Sequence, residues 1–185
     1  MRWWTDLQAA WMPGDPVQPT ESRRQRYEAM RDIVTSLAPE TIFEIGVRAG
    51  YSAFAMLSAA PEAFYIGIDA DNGTHGGVPG GILHARKILR RFPHVAIWAE
   101  DSHAIGSLSP PVGLLHIDGD HSYDGCRSDL DLGLRSRVGH MLVDDVDYIP
   151  DVRRAVDDWL ADHPEASSVD IHDGHHGMTL IGWAP

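Results

Sequence analysis

The feature that most restricts the fold of this chain is a series of short apolar runs that each stop at an acid. Residues 64–68 stop at Asp69, 95–99 at Glu100 and Asp101, 113–117 at Asp118, and 141–143 at Asp144 and Asp145. Short runs that are apolar throughout, rather than alternating, are the pattern of strands buried on both faces of a parallel sheet. Between them lie segments of helical spacing: 21–38, where Tyr27, Met30, Ile33, Val34 and Leu37 share one face, then 51–59, 82–91, a short stretch at 103–108, 123–134 and 152–161. Strand–helix alternation predicts a parallel sheet with helices on both faces. Residues 41–45 supply a first strand, and 169–172 and 178–183 flank Asp173-Gly174-His175-His176-Gly177 as a terminal hairpin. The expected architecture is α/β: a doubly wound, mostly parallel seven-stranded sheet with an antiparallel last strand.

Ligands of such sheets bind outside the C-terminal strand ends, near the switch point. Every acidic break falls at such an end. Asp118, Asp144 and Asp145 are then neighbours at two strand tips. Clustered carboxylates repel, so they imply a bound cation or raised pKa values. His121 follows Asp118 by three residues and is placed to act on whatever a cation holds. The bland alternative, with Asp120, His121, Asp144 and Asp145 serving only as caps and hydrogen-bonding turns, stays open at this point.

Charge and composition narrow the partners. With 27 acidic and 15 basic residues the formal net charge is −12, which disfavours nucleic acid, since phosphate binding needs a basic surface. Hydrophobic content of 43% is ordinary for a globular protein, and 185 residues suffice for one domain with a sizeable core. The lone cysteine, Cys126, excludes a disulfide within the chain and fits a reducing compartment. No apolar run reaches the ~20 residues of a membrane span, and the first residues lack a signal-peptide pattern. A cytoplasmic protein without a membrane partner is expected.

Residues 1–19 carry Trp3, Trp4 and Trp11 followed by Pro13, Pro16 and Pro19. The prolines forbid a long helix, so this stretch reads as a leader that packs on the domain, contacts a second subunit or covers the active site; residues 20–185 form the domain. A chain this short has little else to cover a substrate except the loop at 70–81, with His75 in its glycine-rich part, so a homo-oligomer is expected.

Phe43-Glu44-Ile45-Gly46-Val47-Arg48-Ala49-Gly50-Tyr51-Ser52-Ala53 joins the first strand to a helix. Gly46 and Gly50 let backbone approach a ligand, and the helix start is electropositive. Arg48 and Ala49 break the dinucleotide glycine pattern. Glu44 would repel a pyrophosphate but suits a cationic amino-acid tail. Asp69 lies 23 residues past Gly46, the range in which an acid grips a ribose hydroxyl pair. Asp101 can accept from an adenine amino group, with Ser102 or His103 backbone at the ring. Together these acids describe a nucleoside with a charged amino-acid tail and no phosphate.

The Glu44-x-Gly46-x-x-x-Gly50-Tyr51-Ser52-Ala53 segment resembles the first motif of class I S-adenosylmethionine-dependent methyltransferases, especially the metal-dependent catechol O-methyltransferase group. Ile117-Asp118-Gly119-Asp120-His121-Ser122-Tyr123 with Val143-Asp144-Asp145 resembles the metal-dependent macrolide-sugar and aminocoumarin-sugar O-methyltransferases and the cephalosporin methoxylation protein. The resemblance spans residues 40–183 and implies the Rossmann-like methyltransferase fold. It implies that Glu44 and Gly46 line the methionine end of S-adenosylmethionine, that Asp69 holds the ribose and Asp101 the adenine, and that Gly50, Ser52 and Ser102 also belong to the cofactor site. It also implies that Asp118, Asp144 and Asp145 ligate a divalent cation, with Mg²⁺ expected, and that His121 is the general base toward a hydroxyl of a small molecule, a sugar or an aromatic. The catechol group has Asp-Asn where this chain has Asp144-Asp145, and a lysine where it has His121; in both the chain follows the sugar-methylating branch. Two other readings stand beside this one: a cofactor-binding protein that acts with a partner without methyl transfer, and a dinucleotide-dependent oxidoreductase. His172, His175 and His176 read as exposed turn residues, Cys126 as packing, and Tyr123 as either pocket lining or core.

Overall fold

The computed structural model describes residues 2–71, 73 and 77–183; His75 lies outside them. In chain order the elements are α1 (Trp3–Ala9), α2 (Glu21–Leu37), β1 (Thr41–Ile45), α3 (Tyr51–Ala59), β2 (Phe64–Asp69), α4 (Gly81–Leu89) and β3 (Val95–Ala99), then a 3-10 turn (Ser102–Ala104), β4 (Leu114–Ile117), α5 (Tyr123–Arg135), β5 (His140–Asp144), α6 (Pro150–Asp162), β6 (Ala166–Ile171) and β7 (Met178–Trp183). The sheet order is β3-β2-β1-β4-β5-β7-β6. Strands β1 to β5 pair in parallel, and β7 runs antiparallel between β5 and β6. The switch point lies between β1 and β4, where the order reverses direction.

Alternation along the strands divides the core into two layers. Ile42, Leu114 and Leu142 face a cluster made with α2, α3 and α4. Phe43, Ile45, Leu115, Ile117 and Val143 face a second cluster made with α5 and α6, centred on the fully buried Trp159. Helix α2 starts under the Thr20 side chain, which accepts from Arg23 N, and stops at Ala38 in a left-handed turn (φ +44°) before Pro39. Helix α5 starts in the same way on Ser122. Side chains thus fix where α2 and α5 begin and aim their first turns at the strand tips.

The leader opens with a short helix, α1, that ends at Ala9 before the first of the prolines that rule out a long one. Leu7 of that helix is fully buried, Trp11 stacks on Tyr51 of α3 with ring centroids 3.8 Å apart, and Val17 reaches the cleft at the switch point. Among the described residues no helix is long and apolar enough to cross a membrane.

Candidate active site

A cleft of about 310 Å³ opens over the C-terminal ends of β1, β2, β3, β4 and β5. It is lined at one end by Asp69, Glu100, Asp101, Ser102 and His103, and at the other by Arg26, Asp118, His121, Asp145 and His176, with Gly46 and Gly119 between. Most of the sequence-predicted residues therefore converge.

Gly46 sits at φ +91°, where a Cβ would fall 1.9 Å from the Asp118 carbonyl oxygen. Only glycine allows β1 to turn this close to the end of β4, and this contact brings the two halves of the cleft together. Gly50, at φ +82°, does not line the cleft; it starts α3 against Ala85 of α4. Asp69 accepts from Arg48 N at 2.7 Å and Asp71 N at 2.8 Å, which fixes its carboxylate at the tip of β2. Asp101 accepts from His103 N and so shapes the turn that presents Ser102.

Glu44 is not a lining residue. Its side chain is fully buried beneath the cleft floor. Its carboxylate accepts from Ser52 Oγ at 2.5 Å and from the Tyr65 hydroxyl, and pairs with His116 Nδ1 at 2.8 Å. Burial pulls the His116 pKa down, but the bonds and charges of Asp144 and Glu44 outweigh it and push it up to about 10. Both carboxylates favour the charged form of His116, which stands between β1 and β5. Its Nε2 lies 3.4 Å from Asp144 Oδ2, a charge contact rather than a good hydrogen bond.

The acidic cluster holds a cation that belongs to the chain itself. Arg26 of α2 points into it, bonded to Asp144 and lying 3.6 Å from Asp118 and 3.9 Å from Asp145. Asp144 is fully buried, is held well below the usual carboxylate range by Arg26 and His116 despite burial, and accepts from Asp145 N at 2.8 Å. Asp118 moves the other way: burial and the charge of Asp144 raise its pKa. Asp145 adopts φ +62°, a left-handed conformation that turns its carboxylate toward the cleft. There it pairs with His176 Nδ1 at 2.5 Å and faces His121 Nε2 at 3.4 Å. His121 Nε2 is also 3.2 Å from Asp118 Oδ1. Burial lowers the His121 pKa, but its contact with Asp118 and the surrounding carboxylates raise it overall.

Single ligand atoms from Asp118, His121 and Asp145 lie within 4.8 Å of one another, as do those of His116, Asp118 and Asp144. The two carboxylates of the first group, Asp118 and Asp145, face the cleft and are oxygen donors suited to a hard divalent cation. The second is closed off by Arg26.

Sequence patterns left out three residues of this site. Arg26 lies four residues before Met30 and eight before Val34, within the buried stripe of α2; a charge at an apolar-face position was its signal. His116 interrupts the apolar run of β4, again a polar residue where the pattern demands none. His176, read as an exposed turn histidine, instead lines the cleft and pairs with Asp145. Nothing in its local sequence shows this, because it arrives through the β6–β7 turn. Its neighbour His172 is exposed and pairs with Asp147. Tyr123 does not line the cleft; it packs, partly buried, against the α5–α6 core layer, with its hydroxyl bonded to Asp158 of α6. Cys126 is buried, with its thiol pushed up to about 12 by burial.

The geometry has counterparts among solved structures. The chain is similar over its full length to 87% of the SAH-bound methyltransferase PaMTH1 of Podospora anserina, at 17% identity and a TM-score of 0.71. It is similar over 99% of its length to 89% of an O-methyltransferase from Bacillus cereus in complex with SAH, at 18% identity and a TM-score of 0.66. TomG of Streptomyces achromogenes, an O-methyltransferase involved in tomaymycin synthesis and solved with SAM, matches over 100% of this chain and 91% of its own, at 17% identity and a TM-score of 0.64. At these identities the likeness establishes the fold. No curated protein matches the chain. A methyltransferase-domain family matches residues 43–146, more than half of the chain, from β1 through the turn after β5. The chain belongs to that methyltransferase-domain family.

Proposed function

We propose that this protein transfers a methyl group from S-adenosylmethionine to a hydroxyl of a small molecule, with His121 as general base. The observation that carries the reading is the position of His121 Nε2, 3.2 Å from Asp118 and 3.4 Å from Asp145, in the same cleft as Asp69, Asp101 and Ser102. A proton acceptor and a nucleoside-type acid series share one floor at the switch point.

The cofactor, when bound, supplies an electrophilic sulfonium methyl. The residues present fit it: the close approach at Gly46 leaves backbone rather than side chain against the ligand, and Asp69 is braced to accept from a diol. Asp101 and Ser102 bound the adenine end. The role of Glu44 in this reading is indirect, since its carboxylate holds Ser52, Tyr65 and His116 and shapes the floor under the methionine end.

A divalent cation, Mg²⁺ in the first instance, would be held by Asp118 and Asp145, and its charge would favour ionisation of an acceptor hydroxyl in the cleft. The chain's own part is to hold the acceptor oxygen near His121 and to take its proton. The surrounding carboxylates raise the His121 pKa, and a cation that matched part of their charge would bring it back down, leaving the imidazole neutral and free to accept the proton. The acceptor reads as a hydroxylated sugar or aromatic, because Arg23, His121 and His176 of the cleft can meet hydroxyls while Val17 and Ile45 offer it apolar surface.

The test is calorimetric titration with S-adenosylhomocysteine, followed by a hydroxyl-acceptor screen on the wild type and His121→Ala. General-base assistance is commonly worth ~10²–10⁴-fold, so His121→Ala is expected to lose turnover on that scale while cofactor binding survives. Turnover within about threefold of wild type would remove His121 from the base role. A folded protein that takes up no S-adenosylhomocysteine would sink the reading as a whole.

A further inference from the structure

Arg26 occupies the centre of a cluster whose residue types belong to a metal site. Its guanidinium is about nine-tenths buried and its Nη2 approaches all three of Asp144, Asp118 and Asp145. Its Nε has no hydrogen-bond partner among the described residues, so the side chain is held at this depth by its charge contacts. Tyr27 beside it and Met30 and Val34 further along the same stripe are buried in the α2 layer of the core, so α2 cannot shift outward to withdraw Arg26 without opening that layer. The three carboxylates are not equivalent. Asp144 is matched on one side by Arg26 and on the other by His116. Asp118 and Asp145 face the cleft.

We infer that Arg26 is the resident counter-cation of this cluster and competes with a divalent ion for it, so that such an ion meets Asp118 and Asp145 while Asp144 stays bound to the guanidinium. The argument is one of charge and distance. A divalent ion that used all three carboxylates would stand beside a buried guanidinium within about 4 Å, and like charges at that separation in a poorly solvated site repel strongly. Either the ion binds with two carboxylates and correspondingly weakly, or Arg26 leaves. The chain thus sets its metal affinity low and keeps the cluster assembled when no ion is bound. This goes beyond the proposed methyl transfer and rests on it only in taking the cation as a functional partner.

The experiment uses Mn²⁺ as the probe, followed by the loss of its free electron paramagnetic resonance signal on titration into the full-length protein. Wild type, Arg26→Gln and Arg26→Met are compared, with S-adenosylhomocysteine titrated into each. Glutamine keeps a donor for Asp144 without the charge; methionine keeps the length without either. The expected result is at least a tenfold tighter Mn²⁺ dissociation constant in both variants than in wild type. Equal or weaker Mn²⁺ binding in folded variants overturns the inference. If the variants do not fold alone, the inference requires millimolar Mn²⁺, and not Na⁺ at matched ionic strength, to restore a cooperative thermal transition; failure to restore it also overturns the inference. Absence of S-adenosylhomocysteine binding in folded wild type would instead count against the methyltransferase reading and leave the Mn²⁺ comparison intact.

Discussion

His116 Nδ1 lies 2.8 Å from Glu44 Oε1, with neither side chain exposed to solvent. The two residues are register partners on adjacent parallel strands, β4 and β1, at the switch point. Through Ser52 and Tyr65 the same carboxylate ties in α3 and β2, and through His116 it reaches Asp144 on β5. The acid of the glycine-turn motif is thus the hub of a buried polar network under the cleft floor.

That position predicts a stability effect larger than a binding effect. Removing one partner of a buried ion pair typically costs about 3–5 kcal/mol, because the other charge is left uncompensated. Glu44→Gln is expected to lower the melting temperature by roughly 10 °C, at about 2–4 °C per kcal/mol for a chain of this size. The folded variant should still bind S-adenosylhomocysteine within about tenfold of wild type. Thermal denaturation and calorimetry on the same preparation check this. Unchanged stability with abolished binding would return Glu44 to direct contact with the cofactor.

The acids at the strand tips were legible in the sequence, whereas His116 inside β4 and the parts carried by helices and the terminal hairpin were not. Asp69, Asp101, Asp118 and Asp145 each follow an apolar run, and the backbone of a parallel strand brings its end to the cleft without further information. Arg26 stands 118 residues from Asp144, and only the packing angle of α2 on the sheet joins them. His176 meets Asp145 because β7 pairs antiparallel with β5, a register that local pattern does not fix. The start of β6 was also hidden. Residues 166–168 are small and polar, carry little strand preference, and are recruited by pairing with β7 at the sheet edge. In the same way the apolar spacing of α2 marked its core face but gave no reason for a charge within it.

Asp129 on α5 provides a pH-dependent prediction away from the acidic cluster. It is buried, neither of its oxygens has a hydrogen bond of good geometry among the described residues, and burial pushes its pKa up to about 6, with Ser102 and His103 only partly offsetting this. In the unfolded chain it titrates near ~3.9. Between those values the folded state holds the extra proton, so stability is greatest below about pH 4 for this group and falls as pH rises through about 6. Asp129→Asn removes that fall. The variant is expected to be more stable than wild type at pH 8, on the order of 1–3 kcal/mol at one pKa unit per ~1.4 kcal/mol, with no difference near pH 4. Melting curves across that range decide it. A variant less stable than wild type at pH 8 would mean that the Asp129 carboxylate is satisfied in solution.

The leader makes the last prediction, because its attachment and the cleft share residues. Asp15 is buried and accepts from Arg48 Nη1 at 2.8 Å, Arg48 Nη2 at 2.7 Å and the Tyr51 hydroxyl at 2.7 Å. Those bonds hold its pKa below the ordinary range against the opposing effect of burial. Arg48 lines the cleft and its backbone N donates to Asp69, so the leader is braced against the residue that fixes the predicted ribose acid. Trp11 covers the same tyrosine. Asp15→Ala should therefore loosen residues 10–19 and weaken cofactor binding together. The expected signs are faster proteolytic cleavage within that segment, a red shift of tryptophan emission, a loss of about 1–3 kcal/mol for a partly exposed pair, and S-adenosylhomocysteine affinity reduced severalfold. A leader that served only a subunit contact would come loose on this substitution without changing the affinity. If cleavage, emission and affinity all stay as in wild type, Asp15 does not anchor the leader.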